Sequence, residues 1–93
     1  MSPSPEVETV AVRTVVLPVD LHARPAGRFT QEAARHAAQV TVAAGGKEVD
    51  ARSVLLVMAL GATAGTEITI RATGDDADQA ADALAELLAN VED

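Results

Sequence analysis

Residues 19–29, V-D-L-H-A-R-P-A-G-R-F, constrain the fold more than any other stretch of this chain. A β-branched run precedes them and a helical periodicity follows, so the backbone must pass from strand to helix within them. Pro25 says where. Proline has no amide to donate and a locked φ, which suits the first turn of a helix and not its interior. A helix that starts near Ala23 leaves His22 at its mouth, beside amides without intrahelical partners and at the positive end of the macrodipole. Such a place attracts anions. A neutral imidazole there can accept a phosphoryl group, and Arg24 can meet the phosphoryl oxygens in a bidentate fashion.

The rest of the chain supplies the frame. Residues 1–6, M-S-P-S-P-E, read as a disordered leader before one domain over residues 7–93. Val7, Thr9, Val10, Val12, Thr14, Val15 and Val16 make a first strand over residues 7–17, although Val15, Val16 and Leu17 are consecutive and leave its inward face open. The first helix is expected over residues 23–37, with Ala26, Phe29, Ala33 and Ala37 as its apolar face. Residues 39–43 form a short strand, Gly45 and Gly46 a hairpin turn, and residues 47–50 its return. Ser53 opens a short apolar helix, V-L-L-V-M-A-L, that Gly61 closes. Residues 66–73 alternate as a strand, Gly74 breaks it, and Asp75 or Asp76 can cap a last helix striped by Ala77, Ala80, Ala81, Leu84, Leu87, Leu88 and Val91. The order βαββαβα, with short strands, predicts an α+β domain: an antiparallel sheet with helices on one face.

Two motifs in this order resemble the HPr family, the histidine-containing phosphocarriers of the bacterial sugar phosphotransferase system. The first is L-H-A-R-P-A around His22. The second is A-R-S-V-L-L-V-M-A-L-G-A-T-A-G-T-E-I-T-I over residues 51–70, which sits at the family's spacing from the histidine. The resemblance implies an open-faced two-layer sandwich of four antiparallel strands and three helices. It implies that His22 Nδ1 takes a phosphoryl group from phosphoenolpyruvate-charged enzyme I and passes it to an enzyme IIA domain, with Ala23 and Arg24 binding the phosphoryl oxygens. The protein would then be a carrier rather than an enzyme, needing no cofactor. Gly27, Arg28, Val54, Leu55 and Met58 would form the shared docking surface, although the last three read first as core of a short helix. Arg52 would join Arg28 at the rim.

Ser53 carries two readings. As a helix N-cap it is fully explained. In HPr proteins of several bacterial groups the matching serine is also phosphorylated by an HPr kinase, which adds about −1.5 to −2 charge beside the docking patch. The chain departs from the family at three positions. Asp20 stands where glycine is common, and a carboxylate there would favour protonated imidazole and repel phosphate. It would nevertheless tolerate the left-handed backbone that glycine supplies. Gly27 replaces a commoner alanine or threonine, and Leu56 a small residue.

Composition removes other classes. With 14 Asp and Glu against 7 Lys and Arg, and Phe29 as its single aromatic residue, the chain lacks the basic, ring-bearing surface that nucleic acid requires. It has no cysteine, no apolar run long enough to span a bilayer, and nothing like a signal peptide at residues 1–6, so a cytoplasmic location is expected. His36 reads as a solvent-facing residue, and two histidines alone do not make a metal site. A regulatory relative using the same docking face, or a carrier for a nitrogen-regulatory or dihydroxyacetone chain, remains the alternative. A monomer is expected for a carrier that must meet two partners in turn.

Overall fold

Alternating apolar residues turn one face of a sheet inward, and the strands of this chain do so in register. A computed structural model describes residues 9–92; the expected leader, and the first residues of the expected first strand, lie outside them. The elements are β1 (Val10–Val16), α1 (Ala23–Ala34), β2 (Gln39–Ala44), β3 (Lys47–Asp50), α2 (Val54–Ala59), β4 (Glu67–Thr73) and α3 (Ala77–Asn90). The four strands form one antiparallel sheet in the order β1-β4-β2-β3. Val15 on β1 faces Ile68 on β4, and Ile70 faces Val42 on β2. These side chains meet Ala26, Phe29 and Ala33 of α1, Val57 of α2, and Ala77, Ala80, Ala81, Leu84 and Leu88 of α3 in one core. Phe29 is its largest member and is wholly buried. This is the expected α+β sandwich.

The face of β1 that the consecutive valines left open is settled by packing. Ala11 and Val15 point inward, whereas Val10, Val12 and Val16 lie on the open side of the sheet. Arg13 shares the inward parity but β1 is an edge strand, so its guanidinium reaches out to α3. Its Nε donates to Asp82 Oδ1 at 2.8 Å, and Nη2 lies 3.4 Å from Asp78 Oδ1. That pairing, Asp82 first, holds the guanidinium above its ordinary pKa.

Helix α1 stops at Ala34 rather than at the expected residue 37. The amides of Arg35 and His36 turn to the carbonyls of Glu32 and Ala33 at 3.1 and 3.3 Å, the tighter three-residue spacing of a closing turn. Ala38 then packs beneath Gly74, where a Cβ would stand 3.3 Å from the Ala38 Cα. Gly74 has φ +136°, so both the space and the backbone there call for glycine.

Asp76 occupies the N-cap position of α3 but its side chain does not cap that helix, contrary to expectation. Its Oδ2 instead accepts the Ala37 amide at 3.0 Å, a bond that is the main cause of its lowered carboxyl pKa. Arg52 completes this joint by donating to the His36 carbonyl at 2.8 Å. The end of α1 is thus set by residues remote in sequence.

Candidate functional site

The segment that delivers His22 is strapped to the 60–66 loop, which joins α2 to β4. Leu17 donates to the Thr66 carbonyl at 2.9 Å and accepts from the Gly65 amide at 2.8 Å; Leu21 donates to the Ala62 carbonyl at 2.9 Å. Leu17 and Leu21 are both buried, so an apolar anchor stands on either side of Pro18, Val19 and Asp20. Gly61 closes α2 with φ +65°, in the left-handed conformation expected of a residue just past a helix C-cap.

His22 is the N-cap residue of α1, with an extended backbone at φ −73° and ψ −175°. Its carbonyl accepts the first helical bond, from Ala26 at 2.9 Å, and its side chain makes no capping bond. The amides of Ala23 and Arg24 precede that bond and Pro25 has none to give, so the mouth of the helix faces outward as a donor surface. The imidazole is 63 % exposed, open to a macromolecule. Arg24 is exposed in the first turn of the helix and Pro25 is buried.

Asp20 behaves differently from what its sequence position implies. No residue other than glycine has a positive φ among the described residues, so Asp20 does not use the left-handed geometry expected of it. Its carboxylate is put to work instead. Oδ1 accepts the Ala64 amide at 2.7 Å, and Oδ2 lies 3.5 Å from His22 Nε2. The carboxylate therefore addresses one edge of the ring rather than the whole anion site.

Beside His22 lies a hollow of about 180 Å³ lined by Asp20, Leu21, Met58, Gly61, Ala62 and Thr63. This is smaller than the several hundred Å³ that enclose a typical small-molecule ligand. Met58 carries the hollow over onto α2. Only Val57 of that helix is buried; Val54, Leu55, Leu56 and Met58 are 36, 76, 45 and 38 % exposed. Apart from Val57, the V-L-L-V-M run is therefore an outward apolar face, not core, and Leu56 belongs to it although sequence reasoning left it out of the docking set. Ser53 caps this helix as expected, its Oγ accepting the Leu56 amide at 3.2 Å.

Gly27 is half-buried in α1, and a Cβ built there meets nothing within 4 Å. Arg28 lines a separate groove between α1 and α3, with Gln31, Glu32, Arg35, Leu87, Asn90 and Val91. Arg52 is exposed just before the Ser53 cap, and its guanidinium donates to the His36 carbonyl. His36 is not the solvent-facing residue that its helical position suggested. Its side chain is 13 % exposed, with Nε2 2.9 Å from Glu32 Oε2 and Nδ1 3.6 Å from Asp76 Oδ2. Among the described residues, no group of three or more His, Cys, Asp or Glu is placed to hold a metal ion, and no helix is long and apolar enough to cross a membrane.

Comparison with known proteins gives this arrangement its context. Residues 11–90 match the family model of the PTS HPr component phosphorylation site. The phosphocarrier protein HPr of Mycoplasma capricolum is 46 % identical over 66 residues, which are 71 % of this chain and 74 % of that protein. The HPr-like protein Crh of Bacillus subtilis is 42 % identical over 71 residues, 76 % of this chain and 84 % of that one. The crystal structure of HPr from Bacillus anthracis superimposes with a TM-score of 0.77 at 38 % identity, covering 88 % of this chain and 98 % of that one. With the sandwich, the exposed histidine and these likenesses together, the chain belongs to the HPr family of phosphocarrier proteins.

Proposed function

We propose that this chain is a phosphocarrier that takes a phosphoryl group on His22 from enzyme I and gives it to an enzyme IIA domain of a sugar permease. One observation carries the reading: an exposed imidazole at the mouth of α1 adjoins, through Met58, an exposed apolar helix face. The nucleophile and a surface suited to protein partners are one continuous region, and its hollow of about 180 Å³ is smaller than a typical small-molecule pocket. A flexible methionine among the contact residues suits a surface that must fit more than one partner.

The residues divide the chemistry. His22 supplies the nitrogen lone pair. The free amides at the start of α1, those of Ala23 and Arg24, and the Arg24 guanidinium offset charge on the phosphoryl oxygens. Arg24 sits against the macrodipole, a local cost of a few tenths of a kcal/mol that is consistent with a role in binding anions. Val54, Leu55, Leu56 and Met58 dock the partner, beside Gly27. Arg28 contributes only to partners broad enough to extend over α1 toward α3. Ser53 is the point of regulation where an HPr kinase is present: a phosphate there adds about −1.5 to −2 charge next to Leu55 and Leu56 and raises the cost of desolvating that face. The chain acts as a monomer, since one face must serve successive partners.

The likeness to Crh favours one other reading, a regulatory protein using the same face. Carriage predicts that phosphoenolpyruvate with enzyme I labels the wild-type chain, that His22→Ala abolishes the label, and that Arg24→Ala slows labelling with the fold intact. An unlabelled wild type, with Ser53 still modified by the kinase, supports regulation instead. Transfer to a nitrogen-regulatory or dihydroxyacetone IIA domain in preference to a sugar IIA would assign the branch.

A further inference from the structure

Asp20 is the residue of the site that the family pattern does not account for. Its carboxylate is held rather than free: Oδ1 accepts the Ala64 amide at 2.7 Å, and the Ala64 loop is itself tied down through the Leu21 to Ala62 and Gly65 to Leu17 bonds. The His22 amide donates to the Asp20 carbonyl at 2.9 Å, a tight local turn that brings the two side chains to the same side. The result is Oδ2 standing 3.5 Å from Nε2 of the imidazole, at one ring nitrogen only. No other ionisable side chain lines the hollow that holds them.

We propose that Asp20 is a positioning residue for phosphoryl transfer: by facing Nε2 it keeps the ring proton there and leaves the lone pair on Nδ1. This rests on His22 being the phosphoryl acceptor. In a neutral imidazole the partner of one nitrogen sets which nitrogen carries the proton. At 3.5 Å the contact is electrostatic rather than a short hydrogen bond, and the negative carboxylate favours the proton on the nitrogen it faces.

The transfer step then needs no proton movement. The Nδ1 lone pair forms the N–P bond while the bond between phosphorus and the donor breaks, its pair staying with the donor. The ring gains positive charge in that step with Nε2 still protonated, and Oδ2 lies where that charge is shared. The same carboxylate is directed away from the incoming phosphoryl group, because it addresses the opposite nitrogen. This is the nucleophile-with-orienter arrangement of other activated side chains, built here from residues two apart.

The test uses two variants. Asp20→Gly removes the side chain; Asp20→Asn keeps an oxygen for the Ala64 amide, so the loop stays strapped while the carboxylate is lost. Long-range ¹⁵N–¹H correlation spectra of the histidine-labelled chain read the His22 tautomer directly, at a pH where the ring is neutral. The expected result is a wild type almost wholly protonated at Nε2, with the Nδ1–H form rising about threefold or more in both variants. In parallel, kcat for phosphorylation by enzyme I falls about tenfold, the lower range for a residue that orients another, while KM is retained.

An unchanged tautomer in Asp20→Asn overturns the proposal whatever happens to the rate. A changed tautomer with an unchanged kcat overturns the role in transfer. Absence of any label on wild-type His22, with the tautomer shift present, overturns the phosphocarrier reading and leaves the Asp20 contact itself established.

Discussion

The two readings of Ser53 separate cleanly by substitution, because the cap needs only an acceptor oxygen whereas regulation adds negative charge beside the docking face. The Oγ accepts the Leu56 amide at 3.2 Å from a half-buried position, somewhat longer than the usual N–H···O distance. Loss of an N-cap acceptor costs roughly 0.5–2 kcal/mol, and a bond of this length on a one-and-a-half-turn helix places Ser53→Ala near the middle, about 1 kcal/mol. For a domain of this size that lowers Tm by about 4–8 °C. Asp is as good a cap as Ser, so Ser53→Asp should unfold within about 0.5 kcal/mol of wild type. Its carboxylate, however, sits at the edge of the Val54, Leu55, Leu56 and Met58 face. Calorimetry and phosphorylation by enzyme I, run side by side, should therefore cross over. Ser53→Ala loses stability and keeps its rate; Ser53→Asp keeps stability and loses rate. A Ser53→Asp chain that folds normally and is phosphorylated as fast as wild type would refute the placement of the docking face beside this cap.

Three further outcomes follow from the geometry. Gly27 lies inside α1 with ordinary helical backbone and open space where a Cβ would go, so Gly27→Ala should raise stability by about 0.5–1 kcal/mol in thermal unfolding; a lower Tm would contradict the packing described. The Asp76 carboxyl has a native pKa below its ordinary 3.8, so it contributes stability that is present above that value and fades as the pH falls through and below it. In urea unfolding, Asp76→Asn should flatten the acid loss of stability below pH 3.8, and an acid limb identical to wild type would show that the Ala37 bond does not set it. Leu55, the most exposed apolar residue of α2, should tolerate Leu55→Lys without loss of Tm while binding of enzyme I weakens, by about tenfold or more for a central contact.

Much of this fold was legible because local signals agreed with tertiary ones. The Gly45–Gly46 hairpin, the alternation of Ile68, Ile70 and Ala72, and the α3 stripe each state a turn or a face within a few residues. The helix start signalled by Pro25 and the cap at Ser53 were equally local. What escaped depended on distant partners. The end of α1 is decided by Gly74, Asp76 and Arg52, so apolar spacing through Ala37 overran it. The inward face of β1 is decided by its pairing with β4. His36 looked solvated because helical phase says nothing of a carboxylate arriving from the start of α3.

The site divides in the same way. The place of His22 at the mouth of α1 and the cap at Ser53 could be read from their neighbours in the chain. The placement of Asp20 could not, since it turns on the Ala64 amide from a loop 44 residues away. An outward apolar helix face such as that of α2 has no signature of its own in one sequence: V-L-L-V-M reads as core until Val57 alone is seen to be buried.

The central claim is that His22 carries phosphoryl groups, and the stability of the bond tests it most directly. The chain should be incubated with enzyme I and ³²P-labelled phosphoenolpyruvate, and the labelled product then exposed separately to acid and to alkali. A phosphoramidate on imidazole is lost in acid and survives alkali, and the label should be absent from His22→Ala. Label that resists acid, or that persists in His22→Ala, would contradict the account.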